Sequence, residues 1–319
     1  MRSIIRVAPD VGNALSTNQP VVALESSVLA QGLPIPANRQ ASARMASAIV
    51  SRGGVSAITA VARGVPTVGL AGADLERFLA REGVHKVSAR DLPVAMSLGA
   101  DGATTVAATL CLAHAVGIRV FATGGIGGVH RAPPRSVAPQ PRDESADLVE
   151  LSRTPLVVVC AGAKSILDLP ATWERLETLG IPVVGFRTSQ LPGFFTAETG
   201  ITLDTTVDSV GEIGAIFRAH RSLGRTQALL VVQPPPTAHA LRGNEVETAV
   251  ERALAEAENM GVRGASVTPF LLEAVSRLTE GRSLEANLSL LEQNAALAAE
   301  IARAACESPA PEHEQPAEV

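Results

Sequence analysis

Two lysines stand out in this chain as groups that call for a chemical reason. Of its 27 Lys and Arg residues, only Lys86 and Lys164 are lysine. A codon bias toward arginine accounts for the scarcity but not for the two exceptions. Where only positive charge is needed, either side chain serves. Where an amine must lose its proton, arginine fails, because the guanidinium stays charged to a pKa above about 12. Lys86 and Lys164 are therefore candidates for a nucleophilic amine or a compact phosphate-binding charge.

Other polar groups follow apolar runs of strand length. Glu25 closes VVALES, Thr123 and the glycines of TGGIGGVHR (123–131) follow IRVFA, Lys164 follows VVVCAGA, and Arg187 and Thr188 follow VVGF. Open α/β sheets gather their ligands at the carboxyl ends of strands, so these groups belong to one candidate site. TGGIGG has neither the GK[ST] of a Walker A loop nor the GxGxxG spacing. It serves tight turns and close packing, or it forms an anion nest in which glycine N–H groups, Thr123, His130 and Arg131 surround a phosphate or carboxylate. The segment DESAD (143–147) also has two readings. One is a helix start capped by Ser145 or Asp143. The other is a hard-cation site, where a carboxylate holds Mg²⁺ or Mn²⁺ together with several waters. Pattern alone favours the cap. Ser26 and Ser27 lack a GxSxG elbow, which argues against a serine hydrolase. His114, among Ala and Leu, reads as a core histidine, and Asn287 and Asn294, seven apart, share one helix face.

The elements that must position these groups read as an α/β chain. Strands are expected at 21–26, 56–61, 67–70, 118–122, 155–160, 182–186 and 228–232. Helices are expected at 38–51, 73–82, 104–116, 171–179, 207–222, 245–260, 268–279 and 283–306. Buried-looking strands alternating with helices predict a three-layer α/β/α core with a helical C-terminal third packed on it. Residues 1–306 read as one domain, and 307–319 (ESPAPEHEQPAEV) as a disordered acidic tail. The Pro-rich stretch 132–141 reads as a connector that forms neither helix nor ladder.

Composition removes several functions. The 319 residues carry a net charge of −5 and only 3% aromatics, with no Tyr. That leaves no electrostatic footprint for nucleic acid or anionic lipid and no stacking platform for single strands. Three scattered cysteines make neither a disulfide framework nor a zinc site. No signal peptide and no membrane span are recognisable, so a cytoplasmic protein is expected.

Long blocks of the chain resemble one known family. VALESSVLAQGLPIPAN (22–38), KVSARDLP (86–93), GATTVAATLCLAHAVGIRVFATGGIGGVHR (102–131), the segment from ESADLVELS to PVVGF (144–186) and VTPFLLEAVSRLTEGRSLEANLSLLEQNAALAAEIA (267–302) are similar to pseudouridine-5′-phosphate glycosidases. The resemblance implies an α/β/α homotrimer with bound Mn²⁺ that reversibly cleaves a C-glycosidic bond, giving uracil and ribose 5-phosphate. Metabolically, it implies a sugar kinase that supplies the substrate. By the same resemblance Glu25 is the acid/base, Lys164 the imine-forming lysine and Asp143 the metal ligand. Lys86, Val106, Ser145, Ala146 and Asp147 would contact substrate, and His130 and Asn287 would be polar residues of the pocket. The chemistry is coherent: a carbon–carbon glycosidic bond has no leaving oxygen to protonate, so the paired carboxylates of O-glycosidases do not suffice, whereas a lysine can act as nucleophile and electron source. Gln31, where the family commonly has His, and Arg187 and Gln233 depart from the family pattern. An alternative on the same fold is a C-glycosyl synthase that joins ribose 5-phosphate to a different acceptor in secondary metabolism. A protein that only binds phospho-sugars would not need an amine after a buried strand.

Overall fold

The computed structural model describes residues 4–131 and 143–307. The Pro-rich connector at 132–141 and the tail beyond Glu307 lie outside the described residues. Strand β1 (Arg6–Val7) and helix α1 (Pro9–Ser16) lead into β2 (Val21–Leu24), and helix α2 (Ala37–Val50) returns the chain to the long strand β3 (Val55–Ala62). A tight turn through Arg63 and Gly64, both at positive φ, gives β4 (Val65–Val68). Helix α3 (Gly72–Ala80), strand β5 (Val84–Val87), helix α4 (Leu92–Ser97) and strand β6 (Asp101–Thr104) precede helix α5 (Val106–Ala115) and strand β7 (Val120–Ala122). Then follow α6 (Ala146–Leu151), β8 (Val157–Cys160), α7 (Leu169–Thr178), β9 (Val183–Phe186), β10 (Thr206–Val207), α8 (Val210–Ser222) and β11 (Leu229–Val232). The last described elements are α9 (Gly243–Asn259), α10 (Val267–Leu278) and α11 (Arg282–Glu307).

The strands form one sheet in the order β1-β4-β3-β2-β7-β8-β11-β9-β10, with β6 and β5 branching from β3. From β3 through β10 every neighbouring pair is parallel, whereas β4 and β6 run antiparallel to β3. Strands β2, β7, β8 and β11 are buried at every position. Their continuous apolar runs reflect helices on both faces, since a one-sided sheet would alternate. Helix α11 lies on β2, β7 and β8 and against α2 and α8, while α5 packs on β2, β3, β4, β6 and α6. The architecture is α/β/α, with α9, α10 and α11 making the helical C-terminal third.

Several expectations are corrected. The helix expected at 104–116 starts two residues too early: Thr104 ends strand β6 (Asp101–Thr104), which was not expected, and α5 starts at Val106 with Thr105 as its cap, accepting from the Ala108 N–H. The small residues of GATT suit a narrow strand between β3 and β5, and only the Thr105 cap marks the boundary. Strand β5 (VHKV) escaped sequence reading because two of its four residues are polar and exposed. His114 is exposed in the last turn of α5, not in the core. Strands β1 and β10 and helices α1 and α4 were not anticipated, and the other ends differ by a few residues.

Candidate active site

Adjacent parallel strands bring the chemistry to one edge. Glu25 and Thr123 are the first residues beyond β2 and β7, and Lys164 lies four residues beyond the end of β8. Leu24 pairs with Ala122, and Ala122 with Val159, so the three strands end level. Past them the chain stays zipped: the Ala161 N–H donates to the Gly124 carbonyl at 2.9 Å, Ile126 to Gly162 at 3.1 Å, and Lys164 to Ile126 at 3.1 Å. Two glycines make this approach possible. Gly162 has φ +84°, and a side chain there would run into the Pro192 carbonyl. A Cβ on Gly125 would lie 2.6 Å from Phe194.

The backbone of TGGIGG does not take the form of a nest. Gly124, Gly125, Gly127 and Gly128 are not among the residues with positive φ, so the alternating backbone of a nest is missing. The N–H groups of Ile126, Gly127, Val129 and His130 are spent on the Gly162 carbonyl, Asp147 Oδ2, Thr172 Oγ1 and the Asp143 carbonyl. The glycines serve close packing.

Glu25 is buried, and both carboxylate oxygens are oriented by hydroxyls. Ser27 Oγ donates to Oε2 and Thr123 Oγ1 to Oε1, each at 2.5 Å. The buried Asp147 carboxylate accepts from the Ala107 N–H at 3.0 Å and from the Gly127 N–H at 2.9 Å. It thereby ties the glycine loop to the positive end of α5. Ser145, not Asp143, caps α6, accepting from the Asp147 N–H at 3.2 Å.

The ten residues that the family resemblance assigns line one cleft of about 370 Å³ together with Thr123. Arg187 and Thr188, expected at the same site from their place after VVGF, and Arg131 do not line it: Arg187 Nε donates to the Asp208 carbonyl and Arg131 pairs with Glu247. Glu25 and Lys164 stand at its floor, at the strand ends. Val106 opens α5 with an N–H that has no intrahelical acceptor, a place suited to an anion. Asp143, Ser145, Ala146 and Asp147 form one wall, with His130 beside them, and Asn287 comes from α11. Lys86 reaches in from β5, and its pKa is lowered by desolvation and by the charge of Lys164, against the pull of Asp147 and Glu25. Burial likewise lowers the pKa of His130; Asp143 opposes this, while Lys86 and Lys164 add to it. Sequence reasoning missed Thr268, Pro269 and Leu272 of α10 and Phe194, which also line the cleft. These residues form no motif, and the packing of α10 against α9, α11 and the Val28–Gly32 turn brings its residues there.

The family model described as indigoidine synthase A like protein matches residues 10–304. A pseudouridine-5′-phosphate glycosidase of Gemmatimonas aurantiaca is 58% identical over 95% of this chain and 96% of its own length. The chain belongs to the pseudouridine-5′-phosphate glycosidase family. A second such glycosidase, from Herpetosiphon aurantiacus, is 48% identical over 95% of this chain and 98% of its own. Among solved structures, the prealnumycin C-glycosynthase AlnA in complex with ribulose 5-phosphate superposes with a TM-score of 0.86 at 35% identity, covering 96% of this chain and 98% of that one. An indigoidine synthase A-like protein from Thermotoga maritima gives 0.84 at 36% identity, over 95% and 96% of the two chains.

Family membership raises the question of the metal. Asp143 places an exposed carboxylate on the cleft wall. Among the described residues no three His, Cys, Asp or Glu side chains gather as a metal cage. This donor set fits a hard cation that keeps most of its water and takes one protein carboxylate. No described helix is long and apolar enough to cross a membrane.

Proposed function

We propose that this protein reversibly cleaves pseudouridine 5′-phosphate to uracil and ribose 5-phosphate through an imine on Lys164. The observation that carries the reading is the delivery of a fixed, buried Glu25 and an amine to one sheet edge by neighbouring strands. Glycosidase relatives covering nearly the whole chain support the substrate.

The steps balance with these two side chains alone. The neutral Lys164 amine attacks C1′, the C1′–O4′ bond opens, and protonated Glu25 gives its proton to O4′. The nitrogen, now bonded to C1′, returns a proton to Glu25. Glu25 then protonates C5 of the base. The nitrogen lone pair forms the C1′=N bond as the C1′–C5 bond breaks, and the C5 electrons restore the uracil ring. Water adds to the iminium carbon and yields a proton to Glu25. Collapse of the resulting alcohol transfers its proton to nitrogen, releasing ribose 5-phosphate and neutral lysine. This is covalent catalysis with one carboxyl acting alternately as acid and base.

The remaining residues bind and orient. Lys86 and the Val106 N–H supply charge and a donor for the phosphate. Ser145 and Ala146 face the sugar, with Asp147 holding their segment in place, while His130 and Asn287 offer polar groups. Asp143 with waters would hold Mn²⁺, which would supply positive charge for oxygen ligands of the sugar. A cytoplasmic homotrimer fits the family resemblance. A sugar kinase acting on the free nucleoside is the class of reaction that supplies a 5′-phosphorylated substrate. The likeness to a C-glycosynthase supports a second reading, bond formation with another acceptor, to a lesser degree than the 58% identical glycosidase supports cleavage.

Borohydride reduction in the presence of ribose 5-phosphate should add the reduced sugar phosphate to a peptide containing Lys164. Lys164→Arg and Glu25→Gln should each lower turnover by at least about 10³-fold, since each removes a group that makes or breaks bonds. Wild-type turnover in Lys164→Arg would sink the mechanism. Labelling at Lys164 with no reaction toward uracil would favour the synthase.

A further inference from the structure

Gln31 lines the cleft on the single π-helical turn Val28–Gly32, shortly after Glu25. Turns of this kind recur at functional sites. One end of its amide is pinned, because Nε2 donates to the Val84 carbonyl at 3.2 Å. Reversing the amide would set two carbonyl oxygens against each other, so this bond also fixes the direction of the other end. The Oε1 presented by that orientation is buried and meets no donor. A second buried oxygen in the cleft, Asn287 Oδ1, is in the same condition. Buried acceptors are rarely left unpaired in folded proteins, and at a binding cleft the natural partner is the ligand. Such a ligand must bring donors.

The substrate of the proposed reaction has them. A uracil joined through carbon keeps both ring N–H groups, whereas the N-linked isomer has given one of them to the glycosidic bond. We propose that Gln31 Oε1 accepts a hydrogen bond from a ring N–H of the base, making Gln31 a specificity-determining residue for the pyrimidine ring. This assignment rests on the function proposed above and goes beyond it in naming what reads the base. The Asn287 oxygen, on the same cleft, is available to a second donor on the same ligand.

The test runs the reaction toward bond formation, with ribose 5-phosphate and three acceptors: uracil, 1-methyluracil and 3-methyluracil. All three keep the C5 carbon that reacts, and each methylated ring lacks one N–H. In the wild type, one methyl isomer should react with kcat/KM lower than that of uracil by about 10-fold or more, the effect of a lost hydrogen bond to a buried acceptor. Gln31→Met keeps the length of the side chain and removes the acceptor. It should lower kcat/KM for uracil by about 10- to 100-fold and close the gap to that isomer to within about threefold. Borohydride trapping of ribose 5-phosphate on Lys164 should stay at the wild-type level, which also shows that the variant is folded. Gln31→Leu replaces Gln31→Met if the latter does not fold, with the same results expected. Wild-type discrimination retained in the variant, or equal use of all three acceptors by the wild type, overturns the assignment. Loss of trapping in a folded variant also overturns it, by moving Gln31 to the sugar or the lysine. A wild-type enzyme that traps ribose 5-phosphate but ignores all three pyrimidines overturns the reaction on which the assignment rests.

Discussion

Replacing Asn294 with leucine should loosen the catalytic edge from behind. Asn294 is buried on α11, where Nδ2 donates to the Thr123 carbonyl at 2.8 Å and Oδ1 accepts from Gln233 Nε2 at 2.9 Å. Gln233 in turn accepts from Gln293 Nε2 at 3.0 Å. The far end of this chain is the Thr123 hydroxyl, which orients Glu25. Leucine keeps the branching and heavy-atom count of asparagine, though its methyl groups are bulkier, so the main loss is two stranded polar groups, the Thr123 carbonyl and the Gln233 amide. At about 1–3 kcal/mol for each buried group left unpaired, the two come to about 2–6 kcal/mol. Added apolar burial recovers about 1 kcal/mol. A net loss of about 3 kcal/mol is expected in urea denaturation, a large share of the roughly 5–15 kcal/mol that holds a domain folded.

The same substitution should separate chemistry from binding. Freed from its tether, Thr123 no longer fixes Glu25, and a displacement of about 1 Å at a reacting group costs on the order of 100-fold. The expected result is a fall in kcat of about 10- to 100-fold, with KM for ribose 5-phosphate nearly unchanged because Lys86 and the start of α5 are untouched. The double variant Gln233→Leu/Asn294→Leu removes donor and acceptor together, and should lose less stability than the sum of the single variants by about 1–2 kcal/mol. Wild-type kcat in Asn294→Leu, a stability within about 1 kcal/mol of wild type, or strict additivity in the double variant would refute the reasoning.

Asp143→Asn should weaken Mn²⁺ binding by about 10-fold or more in calorimetric titration, while thermal stability holds because Ser145 is the residue that caps α6. Unchanged affinity would remove Asp143 from the metal. Lys86, its pKa lowered by partial desolvation in the cleft and by Lys164, loses its charge below the ordinary 10.5, so KM for ribose 5-phosphate should rise as pH climbs into the window beneath that value. The stability of the free protein should move oppositely there, rising with pH, since the unfolded chain holds the extra proton. Lys86→Arg, charged throughout, should flatten the alkaline rise in KM, and a profile that is flat in the wild type would deny Lys86 the phosphate.

Legibility in the sequence followed the physics of each element. VVAL, VVVC and LLVV are buried on both faces and carry no polar position, so length and branching mark them as strands without ambiguity. The marginal strands VHKV and DGAT hold polar or small residues and pair only at the sheet's branch, so neither run length nor alternation betrays them. His114 was misplaced for a related reason: an Ala-rich helix buries most of its surface, and apolar neighbours in sequence do not show which face a residue takes. The two readings of DESAD separate only in three dimensions, where Ser145 takes the cap and leaves the Asp143 carboxylate at the cleft.

The cleft divides along the same line. Groups delivered by strand ends could be gathered from sequence because parallel strands stop level, which turns a one-dimensional rule into a place: Glu25, Thr123 and Lys164 follow three runs that had to be neighbours. The lysine count reached Lys86 and Lys164 by an independent route, through the one property arginine lacks, and both lysines arrive in the cleft. Groups that act through orientation left no such trace. Gln31 and Asn294 are ordinary amides in apolar surroundings, and their meaning lies in where the other half of each amide is tied: to the Val84 carbonyl in one case, to Gln233 and the Thr123 carbonyl in the other. An amide tied at one end presents a defined donor or acceptor at the other. For Asn294 that second end is spent inside the protein and holds the acid in register; for Gln31, a residue that lines the cleft, it is buried and unspent. Side chains of one chemical type thus divide between holding the catalytic carboxyl and reading the base, and only the hydrogen bonds of the folded chain tell them apart.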